Sequence, residues 1–371
     1  MRIAYLTSLF MPQLGGAEIF LHHLAKDMAS RGHHSVVIAP RARKYRHAFR
    51  MPYACVRSPR ARSKRFLVGI IALPSLLAAH QRHRFDLVHC QGEYHETMTA
   101  YYFNKLTGVP YVCRPIGGGF TSLEGYPKLQ SRLSRALSRV ELIFAQGAFL
   151  RRRILDHGIS DTKIVTIHNG VRIDEIGPYA FQKPVVEPPY LLYAGGLKAV
   201  KGYDIAIKAF ERVAGVFPQL KLVILGIDQE KQAFDNLVSR LALEERVRYL
   251  HYCDRPSTMT LFSHAEIYLC PFHRSPFSNA NLESLAAGTP IIATAVEGNI
   301  EQIRDGVDGY LIPPDNPQAM ASKIKLILED PMLQRRLGTN ALSRAHDFEW
   351  SHMVDRYEAH YRKLLGAGSE S

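Results

Sequence analysis

The sequence predicts two α/β domains, each a doubly wound parallel sheet with helices on both faces. Three observations predict it. The chain has 371 residues, more than a single core usually organises. Short apolar runs alternate with amphipathic segments from end to end, the order that crossover helices between parallel strands produce. The alternation breaks once, over residues 171–189, where "VRIDEIGPYAFQKPVVEPP" carries four prolines and no periodicity, as a linker does.

The elements follow in order. In the first series strands are expected at residues 3–6, 35–39, 86–89, 111–113, 142–145 and 163–167. Between the first two lies a helical pattern over 17–31, whose apolar stripe recurs at positions 19/20, 23/24 and 27/28 and stops at Gly32. After the linker a second series places strands at 190–194, 220–225, 247–251, 267–270, 290–294 and 309–312. The last segment, "EWSHMVDRYEAHYRKLL", has aromatic and apolar residues on more than one face and is expected to return to the first domain. The expected boundaries are 1–171, with the C-terminal helix from about 352 to 371, and 172–351.

Composition narrows the classes. Hydrophobic residues at 46% and charged residues at 22% are ordinary for a globular chain and exclude disorder. "MRIAYLTSLF" runs straight into a strand without a signal-peptide cleavage pattern. The five cysteines are scattered and never form C-x-x-C, which argues for a reducing, cytoplasmic compartment and against structural zinc or disulfides. Net charge is +13, and from Met28 to Phe85 there are 13 Lys/Arg and no acid. Such a field favours an anionic partner, either a lipid headgroup surface, a phosphorylated substrate or nucleic acid, with an anionic membrane surface foremost; the alternative is a solvated basic face. Nucleic acid is disfavoured, because no recognised motif accompanies the charge. "FLVGIIALPSLLAA" follows the basic block. Fourteen residues with Gly69 and Pro74 are too few to span a bilayer, leaving a core helix or an interfacial one.

In open parallel sheets ligands bind beyond the carboxyl ends of strands, so chemistry is sought in the loops there. After the first strand, "TSLFMPQLGGAE" places Gly15 and Gly16 before a helix with Glu18 in its first turn; two glycines admit close backbone approach, and a helix N-terminus favours an anion. It is not a G-x-G-x-x-G dinucleotide fingerprint. After the first strand of the second domain, "YAGGLKAVKGYD" sets Lys198 and Lys201 beside a helix start, a diphosphate site or two solvated lysines. "PFHRSPFSNANLESLAAGTP" opens a helix after the 267–270 strand, with Phe277, Ser278 and Asn279 at its start and Glu283 within it. Glu283 has the chemistry to accept the paired hydroxyls of a ribose; its alternative is simple helix-terminus charge stabilisation, under about 1 kcal/mol.

These stretches resemble the retaining glycosyltransferases of family 4, which have the GT-B fold of two Rossmann-like domains facing a central cleft. The matching pieces are "GGLKAVKG", "PFSNANLESLAAGTPIIATAVEGNIEQI", "DGYLIPP", "LGGAEIFLHHLAKDMASRGHHSVVIA", "DLVHCQ" and "IHNGV", and they cover essentially the whole chain. The resemblance implies that Lys201 binds the donor diphosphate, Glu283 the ribose, Gly16 the diphosphate by its backbone, and the amides around Phe277–Asn279 the phosphate or sugar. It implies metal-independent hexosyl transfer without a protein nucleophile or cofactor. No D-x-D occurs in the chain, in keeping with this.

Three positions depart from the pattern. Ser275 stands where the family has a Glu eight positions before Glu283. Gly196 stands where it has an Arg, with Lys198 nearby. No His lies between His95 and His157, where the family has one; Arg114 and Gly117–Gly119 occupy that region. Arg114 and His89, both at strand ends, are the acceptor-side candidates. The expectation is a peripheral enzyme on the inner face of the cell membrane. It moves a sugar from a UDP- or GDP-linked donor to a lipid-linked or membrane-proximal glycan. The alternatives are another GT-B enzyme, such as a nucleotide-sugar epimerase, or a non-catalytic nucleotide-sugar binder.

Overall fold

The computed structural model describes residues 1–11, 15–41, 51–59, 68–116, 127–274 and 277–366. Ser275, Gly117–Gly119 and eight of the 13 cations of the basic block lie outside the described residues.

The chain divides into two units, Met1–His168 with His352–Ser371, and Asn169–Ser351. The first holds a seven-stranded sheet built from β1 (Arg2–Thr7), β2 (His34–Pro40), β3 (Ala54–Ser58), β4 (Leu87–Gln91), β5 (Tyr111–Arg114), β6 (Ile143–Ala145) and β7 (Ile164–Thr166). Its order is β3-β2-β1-β4-β5-β6-β7, and every pairing is parallel. Strands covered on both faces read as continuous apolar runs, which is why all five residues of β4 are buried. The helix Gly16–Ser30 buries Phe20, Leu21, Leu24, Ala25 and Met28, the stripe that its sequence spacing sets. Each large apolar side chain so buried stabilises by about 1.5–3 kcal/mol. Gly32 then ends the helical run in a left-handed turn, at φ 82°.

β3 has no counterpart among the expected strands, since "ACVRS" is short, half polar and set within the basic block. It pairs with β2 from Val36 opposite Ala54 to Pro40 opposite Ser58. Two arginines of that block are committed inside the unit. Arg57 donates to the carbonyls of Pro40 and Met11, and Arg31 pairs with Asp355 and Glu358. "FLVGIIALPSLLAA" is helical where described, as Val68–Ile71 and Leu73–His83, with Leu76 and Ala79 in the core.

The C-terminal helix Trp350–Gly366 returns to the first unit. Tyr357 and Tyr361 are fully enclosed there, and Phe144 packs 4.6 Å from Tyr357, ring centre to ring centre. Glu358 fastens the helix to the turn before β2, accepting from Arg31 at 2.8 Å and lying 3.0 Å from His33 Nε2.

The second unit contains β8 (Tyr190–Ala194), β9 (Lys221–Leu225), β10 (Val247–Leu250), β11 (Ile267–Cys270), β12 (Ile291–Thr294) and β13 (Gly309–Ile312). They form a parallel sheet in the order β10-β9-β8-β11-β12-β13. The proline-rich 171–189 stretch is not a free tether. Val171 donates to the Phe348 carbonyl at 2.8 Å, and Ile176 and Val186 are buried in the core of this unit. Prolines removed the periodicity but not the apolar anchors.

Candidate functional site

In the second sheet the strand order reverses between β8 and β11, so the loops after these two strands diverge and open a crevice at their carboxyl ends. The lysine pair lies in the first of these loops, and the stretch leading to Glu283 follows the second strand.

The loop after β8 turns sharply at Gly196, with φ 68°, and ends at Gly202, with φ 69°. A Cβ on Gly196 would stand 2.6 Å from the Ile227 carbonyl, so no side chain fits at the position where the resemblance expects an arginine. Lys198 and Lys201 project from the loop between the two glycines. Neither ammonium has an ion-pair partner among the described residues, and Lys201 Nζ lies 4.2 Å from the centre of the Phe272 ring. Burial lowers the Lys201 pKa, with Lys198 adding to the effect and Cys270 and Glu297 opposing it. An anion brought here meets two ammonium groups that no described acid pairs, with the Glu230 carboxylate accepting from the Ala199 N–H of the same loop at 2.9 Å.

The loop after β11 leads to the helix Asn279–Ala286. Ser278 caps that helix by accepting from the Asn281 N–H at 3.3 Å. The Ser278 N–H itself donates to Gln302 Oε1 at 3.1 Å, so this one of the expected phosphate-binding amides is already engaged. Phe277 is buried against Phe348, and Asn279 accepts from Asn169 of "IHNGV" at 2.7 Å. Beneath them runs a buried polar network. Asn281 donates to Asn299 and Gln302, Asn299 to the Thr294 carbonyl, and Gln302 to the Ser278 carbonyl, over 2.7–3.0 Å. These bonds fix the helix start in one position, although Asn281 Oδ1 finds no partner among the described residues.

Glu283 is largely shielded, at 18% exposure, and accepts from Arg255 at the start of the helix Arg255–Ser263. The sequence reading missed Arg255, which lies 28 positions away with no local pattern to mark it. The pair orients the carboxylate and removes one acceptor direction.

In the first unit the corresponding reversal falls between β1 and β4. Gly15 and Gly16 open the first helix, and the Glu18 carboxylate lies over Gly15, so an incoming anion shares this N-terminus with a like charge. His89 and Arg114 sit in the core. His89 is fully buried, hydrogen-bonded through Nδ1 to the Tyr361 hydroxyl at 2.6 Å, and burial beside Arg114 drops its pKa to about 3. Arg114, 1% exposed, stacks 3.5 Å over the Phe20 ring and bonds Tyr357. In this arrangement both hold the C-terminal helix, enclosed in the core of the unit. At the edge itself are two carboxylates that sequence reasoning did not select. Glu93 accepts from the Ile116 N–H at 2.9 Å, and Glu96 accepts from the Ser8 N–H at 2.7 Å and from its hydroxyl. Burial raises Glu96 to about 7, against the Ser8 hydrogen bond. Only the fold, which brings residue 8 to residue 96, reveals that site.

Two Rossmann-like units, the second with paired ammonium groups and a capped helix at its reversal point, define the GT-B class. Residues 14–175 match the family described as Glycosyltransferase Family 4, and residues 179–344 match Glycosyl transferases group 1. The chain belongs to the family 4 glycosyltransferases.

It is 29% identical over 227 residues to D-inositol 3-phosphate glycosyltransferase 1 of Catenulispora acidiphila, an alignment covering 57% of this chain and 54% of that protein. The chain spans about half the length of the curated relatives it matches. Sucrose-phosphate synthase from Thermosynechococcus elongatus superposes with a TM-score of 0.84 at 20% identity, over 99% of both chains. Anabaena HepE, solved in complex with UDP-glucose, superposes with a TM-score of 0.80 at 18% identity, over 98% of this chain and 100% of that one. These structural likenesses establish the fold.

Proposed function

We propose that the chain transfers a hexosyl group, with retention and without a metal, from a UDP- or GDP-linked sugar to a lipid-linked or membrane-proximal glycan. The observation that carries the reading is the pair Lys198 and Lys201, without ion-pair partners among the described residues, on the loop after β8, the strand next to β11, whose following helix carries Glu283. The lysines neutralise the charge that builds on the departing diphosphate, and Glu283 accepts from the ribose hydroxyls. The bond from the sugar carbon to the diphosphate oxygen breaks as the acceptor oxygen bonds the same face. The acceptor's proton passes to the released diphosphate, so the protein supplies position and charge and no nucleophile. The UDP-glucose bound by Anabaena HepE supports a nucleotide-sugar donor here.

The membrane-proximal acceptor is supported by a basic stripe on the helix Pro127–Ser138. Lys128, Arg132 and Arg135, with Arg139 just beyond, recur at helical spacing, all are exposed, and the helix holds no acid. No described helix is long and apolar enough to cross a membrane, and the reading has the protein bind the inner leaflet peripherally.

Thermal shift against UDP- and GDP-sugars in the presence of EDTA tests the donor. A ligand at 100 times its Kd stabilises by about 2.7 kcal/mol. That gain is expected to vanish in Glu283→Ala, and product anomeric configuration by NMR reads retention. Absence of stabilisation by any nucleotide sugar overturns the reading.

A further inference from the structure

The loop from Gly196 to Gly202 is braced from outside as well as within. Every carbonyl from Gly196 to Lys201 accepts a hydrogen bond. Three of these are local, from Lys198 N–H to Gly196, Lys201 N–H to Lys198 and Gly202 N–H to Ala199, at 3.1, 2.9 and 2.8 Å. Two come from neighbouring loops, from Gln229 N–H to the Leu197 carbonyl and from His273 N–H to that of Val200, each at 3.2 Å. A side chain completes the set. The Tyr193 hydroxyl, in β8, lies 3.0 Å from the Gly196 carbonyl and 3.1 Å from the Lys201 carbonyl, so one donor is shared between the two ends of the loop.

Tyr193 is fully enclosed, and burial holds its pKa well above the ordinary value, so the phenol keeps its proton and remains a donor. Its ring meets Phe272 edge-on, 6.2 Å between centres, and Lys201 Nζ stands 4.2 Å over Phe272. Tyr193 therefore reaches Lys201 by two routes, its backbone through the carbonyl and its ammonium through the Phe272 ring. From the loop after β9, Glu230 Oε1 accepts from the Ala199 N–H at 2.9 Å and Oε2 from the Tyr203 hydroxyl at 3.2 Å. Ala199 lies between the two lysines, and Tyr203 opens the helix that follows them. A carboxylate beside a diphosphate site opposes its ligand by charge, so the contribution of Glu230 lies in its hydrogen bonds.

We propose that Tyr193 and Glu230 are positioning residues for the donor diphosphate: they hold the 196–202 loop in one shape, so that Lys198 and Lys201 are in place before the donor arrives. A group ordered in advance loses less freedom on binding and costs no reorganisation as charge builds on the leaving diphosphate. The inference rests on the donor reading above and deepens it.

The test is the affinity of the full chain for UDP-glucose and GDP-mannose, measured calorimetrically. Glu230→Gln keeps both contacts, its amide oxygen accepting from Ala199 and its amide N–H donating to the Tyr203 oxygen, while Glu230→Ala loses them. Both variants remove the charge, so the difference between them reads the bracing. Glu230→Ala is expected to bind about tenfold more weakly than Glu230→Gln. Tyr193→Phe is expected to weaken binding by about fivefold to tenfold. Combined with Lys201→Ala it is expected to weaken binding by less than the product of the two separate factors, because it acts through that lysine. A tyrosine with a purely structural role would lower Tm and leave the affinity of the folded protein unchanged. Equal affinities in the two Glu230 variants overturn its part. Wild-type affinity in Tyr193→Phe, or factors that multiply with those of Lys201→Ala, overturn that of Tyr193. Either result leaves the donor site standing. Where Tyr193→Phe does not fold, the Glu230 pair decides alone. Failure of both sugars to bind the wild type overturns the donor reading and this inference with it.

Discussion

Restoring the arginine that the resemblance places at position 196 is expected to damage the protein. A residue other than glycine at φ 68° costs about 1–2 kcal/mol. Its Cβ would also stand 2.6 Å from the Ile227 carbonyl oxygen and 3.1 Å from the Ile227 nitrogen, both backbone atoms. The turn cannot retreat cheaply. Gly196 donates to the Leu225 carbonyl and Leu197 to that of Ile227, each at 3.0 Å. Across the gap Gly226 is itself left-handed at φ 130°, and a Cβ there would lie 2.6 Å from the Gly196 nitrogen. Forcing such a contact adds about 1–3 kcal/mol, as overpacking does. Together the terms reach about 2–5 kcal/mol. In a unit the size of Asn169–Ser351 that lowers Tm by about 5–15 °C. Melting followed by far-UV circular dichroism measures it, with Gly196→Ala beside Gly196→Arg. The two variants share the Cβ and are expected to fall by similar amounts. A Gly196→Arg protein that melts with the wild type and binds UDP-glucose more tightly would refute the reasoning.

Glu96 makes stability depend on pH. Burial raises its folded pKa to about 7, above the ordinary carboxyl value. Its contribution is therefore fully present below that ordinary value and is lost as pH rises through 7. Glu96→Gln is expected to match the wild type near pH 5 and to exceed it by about 1–3 kcal/mol near pH 8 in urea denaturation; a gap that does not change with pH would sink this. The basic stripe is tested by reversing Lys128, Arg132 and Arg135 to Glu. Each cation near an anionic surface contributes about 1 kcal/mol. Co-sedimentation with phosphatidylserine vesicles at low salt is expected to weaken by about a hundredfold or more in the triple variant, and unchanged binding would move the contact to another face.

Twelve of the strands were legible because parallel strands buried on both faces leave unbroken apolar runs, as 190–194 and 267–270 do. β3 was not, because its half-polar "ACVRS" gives neither an unbroken run nor a clean alternation. Residue types marked the candidate donor loops, since lysines and a lone acid among small residues stand out locally. Their partners did not. Arg255 reaches Glu283 across 28 positions and Ser8 reaches Glu96 across 88, and no local pattern records a contact made by folding. His89 is the converse case. A polar residue near a strand's carboxyl end reads as a site residue, yet Tyr361 arrives from 272 positions away to cover it.

The charges around β11 explain how the chain manages without an arginine at 196. Two acids there already face arginines, Glu283 with Arg255 and Glu297 with Arg274, while Asp315 lies 3.0 Å from His273 Nδ1 and Glu230 accepts from the Ala199 N–H. The two lysines have no ion-pair partner among the described residues, so the loop keeps ammonium charge that an incoming anion can pair with. Both loops that hold this charge touch directly, through the His273 N–H and the Val200 carbonyl. A side chain from position 196 is excluded by Ile227, and Gly196 instead makes the turn from which Lys198 projects. On the proposed donor reading, the cationic role falls to Lys198, two positions along the loop, a flexible ammonium in place of a planar guanidinium. Such a group holds phosphate as a point charge and gives up the bidentate geometry that an arginine would impose. On this account selectivity among donors has to come from the loop after β11 and not from the diphosphate clamp.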